Sequence, residues 1–185
     1  MDRAKFFAGA RSALFGGKLT QGQVDGITAI LDGWQASQMT DLRWLAYMLA
    51  TAYHETARTM QPIAEYGKGK GRKYGVKGKH GQVPYGRGYV QLTWDVNYET
   101  ADQELGLQGA LIENFDLALD PDVAARIMFL GMEEGWFTGR KLGDYFSGSK
   151  ADWLNARRII NGMDRAKDVA AYGRKFHSLL LEAGA

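Results

Sequence analysis

The chain is expected to be mainly α, with at most one short β-hairpin. Apolar residues recur at helical spacing in several stretches, and capping or breaking residues bound each of them. Only Tyr85 to Thr93 has the make-up of extended chain. With 185 residues the protein suits one domain, or one core with two lobes. No repeat or linker divides it, so a single unit over residues 1–185 is expected.

A first helix spans about Asp2 to Leu14 and stops at Gly16-Gly17. Thr20 and Gln23 have the spacing of a capping box, in which hydroxyl and amide each satisfy a free N–H. The helix it opens repeats Val24, Ile27, Ile30, Leu31 and Trp34 on one side. Thr40 can cap a third helix, from about Asp41 to Arg58. Asp120-Pro121 is a start signal, a capping side chain followed by proline in the first turn. Val123, Ile127, Met128 and Leu130 continue that helix to Gly135. Ser149 can cap a helix through Ile160, ended by Asn161-Gly162, and Asp164 a last one running to about Glu182.

Between the helical halves, Tyr66 to Gly88 holds eight glycines, too long a stretch for an ordinary connection. From Tyr66 to Trp94 there are seven basic residues, Lys68, Lys70, Arg72, Lys73, Lys77, Lys79 and Arg87, and no acidic one. Such a field attracts anions and weakens with salt. The whole chain is only +2, so it is no general polycation. With tyrosines interleaved, the stretch has some features of a nucleic-acid surface, but solvated charge is the plainer reading. The absence of Cys excludes disulfides, thiol nucleophiles and Cys-ligated zinc. Met1 to Phe7 lacks the apolar stretch of a signal peptide, and no run approaches a membrane span.

Two carboxylates stand out. On a helical wheel Leu45, Leu49, Ala52 and Thr56 centre a buried stripe, with Glu55 at its edge. Partial withdrawal from water raises a carboxyl pKa, at about 1.4 kcal/mol per unit, and suits it to protonate a leaving oxygen. The plainer reading is a Glu that caps the helix or pairs with Arg58. Glu65 follows Pro62, and Lys68 and Lys70 nearby would lower its pKa and keep it ionised. An acid and a base with pKa values pushed apart is what glycoside cleavage uses. Gln91 and Thr93 alternate with Leu92, so both would project from one side of an extended segment, with Leu92 and Trp94 on the other. Asn97 joins them if a helix starts here with Thr93 as its cap.

Other chemistries fail on spacing. His54-Glu55 begins like a zinc-protease motif, but Arg58 stands where the second His belongs. The Gly-Lys pairs of residues 67–71 are followed by neither Ser nor Thr, and no Gly-x-Ser-x-Gly elbow occurs.

Three blocks together resemble family 19 glycoside hydrolases, specifically the small endolysin-type members of phages and prophages. They are Ala52-Tyr53-His54-Glu55-Thr56; Tyr85-Gly86-Arg87-Gly88-Tyr89-Val90-Gln91-Leu92-Thr93-Trp94 with Asn97-Tyr98; and Ala156-Arg157-Arg158-Ile159-Ile160-Asn161-Gly162. The resemblance implies a two-lobed, lysozyme-like fold with a central cleft, as one catalytic domain without a separate wall-binding module. It implies Glu55 as general acid, Glu65 as general base and Thr93 as the group that positions water. Gln91, Asn97 and Asn161 match sugar-contacting positions, and Tyr85 is a further candidate to line the cleft. Plant members often carry disulfides and usually a wider spacing between the two acids; here the spacing is ten residues, and Trp94-Asp95 stand where His and Asn are often seen.

The expected activity is that of an endolysin, cutting β-1,4 bonds between N-acetylmuramic acid and N-acetylglucosamine with inversion, to lyse a host cell. A chitinase and a lytic transglycosylase are the alternatives within the resemblance. A non-catalytic module binding wall or nucleic acid is the alternative outside it. The expected partner is peptidoglycan, with no cofactor, no metal, no nucleic acid and no membrane insertion, and with a monomeric protein. It would accumulate in the host bacterial cytoplasm until a holin releases it.

Overall fold

The computed structural model describes residues 1–185 as seven α-helices, two short two-stranded antiparallel sheets where at most one hairpin was expected, and three 3-10 turns. Local signals are honoured where the cap lies next to its helix. Asp2 accepts from the Lys5 N–H to open α1 (Arg3–Ala13), and the Thr20–Gln23 capping box closes reciprocally on α2 (Gln21–Ala36). Asp41, not Thr40, caps α3 (Leu42–Glu55), accepting from the Arg43 N–H. The next helices are α4 (Asp95–Glu104) and the single turn α5 (Ala110–Glu113). Asp120 accepts from the N–H groups of Asp122 and Val123 at the head of α6 (Pro121–Glu134), which ends at Gly135 with φ 87°. The last is α7 (Ala166–Glu182).

The third helix is the axis of the fold. Its residues Leu45 to Tyr53 are all buried, so it is enclosed on every side rather than along one stripe. Its main neighbour is α7, where Gly173 lets the backbone meet Tyr47 and Trp153. Helix α1 packs on α7 and α2 on α6, and the buried apolar side chains form one continuous cluster. No helix is long and apolar enough to cross a membrane.

Helix α3 stops three residues sooner than its apolar pattern suggests. Ala57, Arg58 and Met60 take φ of 50°, 69° and 56°, and the chain turns back sharply. The Thr56 hydroxyl stitches this turn, donating to the Ala52 carbonyl and accepting from the Met60 N–H. Gly26 on α2 makes room for it, since a Cβ there would lie 1.6 Å from the Met60 carbonyl oxygen. Gly22, one turn earlier, faces only ordinary contacts, the nearest at 3.7 Å. The two glycines therefore predict opposite signs. Gly26→Ala loses about 3 kcal/mol through overpacking, while Gly22→Ala gains a few tenths to ~1 kcal/mol from helix propensity. Urea denaturation midpoints of the two variants check this.

Three expectations change. The stretch from Ser149 to Ile160 is not a helix. It holds a small sheet, β3 (Phe146–Ser147) with β4 (Lys150–Ala151), then a 3-10 turn over Asn155–Ile159. What decides it is Trp153, buried against Tyr47, Phe146 and His177, contacts a continuous helix would not set up. Asp164 does not cap α7; Arg165, at φ 57°, precedes it without a side-chain cap. Tyr85 to Thr93 is not one extended arm. Strand β2 (Arg87–Gly88) pairs antiparallel with β1 (Ile63–Ala64), and Arg87 also bridges to Leu92, so residues 88–91 form a tight return with Gln91 at φ 55°.

Arg87 fastens this region. It is 4% exposed and donates to Asp116, to the carbonyls of Val83 and Tyr85, and to the Tyr98 hydroxyl. Its guanidinium carbon lies 3.6 Å from the centre of the Tyr85 ring. Arg87 is thus an internal strut and adds nothing to the exposed basic field.

Candidate functional site

A cleft of about 350 Å³ opens where the C-terminus of α3 faces the return at residues 88–94. Glu55, Phe137, Ile160 and Asn161 line it from one group of elements, and Tyr74, Val90, Gln91, Thr93, Trp94 and Asn97 from the other. Five of the residues singled out in the sequence therefore meet in one place: Glu55, Gln91, Thr93, Asn97 and Asn161.

Glu55 is the last residue of α3, and its side chain is 17% exposed. The half-withdrawn position matches the wheel, but the carboxylate is not solitary. Arg157 Nη1 donates to Glu55 Oε1 at 2.6 Å, and Arg157 Nε donates to the Asp164 carbonyl at 3.0 Å. That arginine side chain is only 3% exposed. Arg58, the partner suggested by proximity in sequence, instead places its guanidinium 5.6 Å from the Tyr53 ring centre. Burial holds the neighbouring His54 imidazole below its ordinary pKa, although Glu55 pulls the other way, so the ring next to the acid is neutral at neutral pH. Four and eight residues before Glu55, Thr51 and Tyr47 carry buried hydroxyls with no protein partner. Helical spacing puts them on the Glu55 side of α3.

Glu65 continues the β1 strand, its N–H donating to the Gly86 carbonyl at 2.7 Å. No lysine pairs with its carboxylate: Lys68 and Lys70 are exposed, and neither forms an ion pair with it. Its oxygens accept from the Tyr74 hydroxyl and the Gly86 N–H, each at 3.2 Å. Burial, and then the Glu65 carboxylate, push the Tyr74 phenol above its ordinary pKa, so Tyr74 remains a donor. Tyr74 lines the cleft and Glu65 stands behind it, reaching the cleft through this phenol.

The neutral groups are divided between framework and free positions. Gln91 spends its amide N–H on the carbonyls of Ile63 and Gly88, locking the return. Asn97 donates to the Thr93 carbonyl at 2.8 Å, which leaves its side-chain oxygen unengaged by protein. Helix α4 has no side-chain cap, so the Thr93 hydroxyl is not a cap and is free for a ligand or water. Trp94, placed on the opposite side of the strand from Thr93 in the sequence reading, lines the same cleft, because the backbone turns at Trp94 (φ 71°). Trp94 is 44% exposed, and its ring meets Tyr74 edge-on at 5.3 Å. Asn161 is exposed, with its side-chain oxygen accepting from the Gly162 N–H. Tyr85 is not on the cleft; it is buried beneath Arg87.

The arrangement presents a half-buried acid, neutral hydrogen-bonding groups, and an exposed indole on which a sugar face can stack. Arg157 and Trp94 are what the residue-by-residue reading missed. The arginine is 102 positions from Glu55, and its one local signal is a basic residue set between the buried Ala156 and Ile159.

No protein-family profile and no curated protein sequence matches the chain. Solved structures do. A bacterial family 19 chitinase, described as differing from the plant enzymes, aligns with TM-score 0.58 and 22% identity, over 96% of this chain and 93% of its own. Chitinase C from Streptomyces griseus aligns with TM-score 0.60 and 23% identity, over 98% of this chain and 91% of its own. The chain thus has the mainly helical, lysozyme-like fold of these chitinases.

Proposed function

We propose that the protein is a glycoside hydrolase acting on the glycan strands of peptidoglycan, as an endolysin of the family 19 type. The observation that carries this reading is Glu55, a mostly buried carboxyl opening on a sugar-sized cleft that also holds Thr93, Asn97 and the exposed Trp94 ring. In this reading Glu55 takes up a proton from solvent through the open cleft and passes it to the glycosidic oxygen, and Arg157 then pairs with the carboxylate left behind. Glu65 is the base: the attacking water, oriented by Thr93, gives its proton to the Tyr74 hydroxyl as Tyr74 passes its own to Glu65. Inversion requires the two carboxyls to stand about 6.5–9.5 Å apart when the substrate is bound.

Chitin is the second reading, favoured by the fold shared with two chitinases. The exposed cations beside the cleft favour an acidic glycan instead. Mass spectrometry of digests decides between them. Products from peptidoglycan ending in reducing muramic acid support the proposal. Anhydro-muramic ends identify a transglycosylase, and chitobiose from chitin with intact peptidoglycan identifies a chitinase. Release in a phage-infected cell through a holin belongs to the same proposal and is tested by lysis on co-expression with one.

A further inference from the structure

The basic segment beside the cleft carries its charge in two ways. Lys79 and His80 share Glu99, at 2.8 and 2.6 Å, and Arg87 is buried on Asp116. Lys68, Lys70, Arg72, Lys73 and Lys77 are all exposed and join no ion pair.

These five do not sit on a slack tether. Successive turns run through the segment, Lys68 N–H to Glu65, Lys70 to Gly67, Arg72 to Gly69 and Gly75 to Arg72, each at 2.8 to 3.0 Å. Two passes of the chain touch where Gly75 meets Gly69; a Cβ on Gly75 would lie 1.7 Å from the Gly69 carbonyl oxygen. Gly78 fits as closely against the Asp95 carboxylate. Tyr74, with Arg72 and Lys73 just before it and Lys77 three residues after, is held by Glu65 and by the Trp94 ring. Tyr74 is therefore a wall of the cleft, and the platform that carries it holds five exposed, unneutralised positive charges beside the opening. Ordering so glycine-rich a segment costs conformational entropy, which local anchors have to offset.

We propose that this platform binds carboxylates borne on the substituents of the glycan strand in the cleft, selecting an acidic strand over a neutral one. The inference rests on the hydrolase reading for the cleft itself. Charges at the rim of a site chiefly raise the encounter rate and make it salt-dependent, within a Debye length of about 8 Å at physiological ionic strength.

The test compares the wild type with a variant carrying Lys68→Gln, Lys70→Gln, Arg72→Gln, Lys73→Gln and Lys77→Gln, all at exposed, unpaired positions. On peptidoglycan freed of accessory phosphate polymers, KM is expected to rise ~10-fold or more at low salt, with kcat kept. The two proteins converge near 1 M salt, where screening is nearly complete. Cosedimentation with the same peptidoglycan falls in parallel, while cosedimentation with neutral chitin does not. Equal losses on both polymers, a salt-insensitive difference or no difference overturns the proposal. So does binding that vanishes once the phosphate polymers are removed, or a stronger hold on DNA than on peptidoglycan at the same salt. Cosedimentation also separates the two readings: a protein that cleaves nothing yet shows charge-dependent retention defeats the hydrolase and leaves the platform standing.

Discussion

Glu55→Gln is expected to lower turnover on peptidoglycan by about 10³-fold, near 4 kcal/mol in barrier, while the protein stays folded. The amide matches the carboxyl in shape and its oxygen can still accept from Arg157 Nη1, so the 2.6 Å contact loses charge but not geometry. The kept hydrogen bond holds the stability loss below the ~3–5 kcal/mol of a pair broken outright, although the buried Arg157 guanidinium loses its counter-charge. An amide cannot donate a proton to a leaving oxygen, and that is the catalytic loss. Glu65→Gln provides the contrast. If Glu65 activates water, its loss costs about 10²-fold, and the Tyr74 hydroxyl still finds an amide oxygen. Circular dichroism and denaturation establish that each variant is folded, and single-turnover rates on purified peptidoglycan give the effect. A well-folded Glu55→Gln protein that still lyses walls removes the acid from position 55. Unchanged turnover in Glu65→Gln, with anhydro products from the wild type, leaves one carboxyl to serve both steps.

What could be read from the chain in advance follows how far apart the deciding residues lie. The Thr20–Gln23 box and the Asp120-Pro121 start are legible because cap and capped N–H are within three residues of each other. Glu55, Gln91, Thr93, Asn97 and Asn161 converge on the cleft as expected. Gln91, and Trp94 beside them, do so by a geometry that alternation along a strand would not suggest. Gln91 and Trp94 both adopt φ above +50°, a backbone state that non-glycine residues rarely take and that composition does not announce. The Ser149 and Asp164 signals fail for a different reason. Around Trp153 and Arg157 the backbone follows tertiary contacts with α3, which outweigh local capping preference. Charge is legible only as a sum. Nothing local separates Arg87, buried as a strut, from Lys68 or Lys77 in water. The misplacement of Tyr85 has the same origin, since Arg87 is what covers it.

Arg157→Met is expected to be the most destabilising single change near the cleft, by about 3–5 kcal/mol. With side chains 3% and 17% exposed, the pair is far enough from water that removing one partner strands the other. The same arginine holds the Asp164 carbonyl through Nε, two residues before α7, a helix with no side-chain cap of its own. Methionine fills similar volume but satisfies neither acceptor, so the Glu55 carboxylate is left half-buried without a counter-charge. A double-mutant cycle separates the two contributions. If the stranded carboxylate is the main penalty, adding Glu55→Gln to Arg157→Met restores ~1–2 kcal/mol, because a neutral amide tolerates the same site better. If the lost Asp164 contact dominates, the two changes simply add, and amide exchange is fastest in the first turn of α7. Urea denaturation of the four proteins of the cycle reads the coupling. Additivity within about 0.5 kcal/mol would show that the Glu55–Arg157 pair contributes little to holding α3 against the 3-10 turn at Asn155–Ile159. Arg157 would then matter to the cleft only by closing the turn that leads into α7.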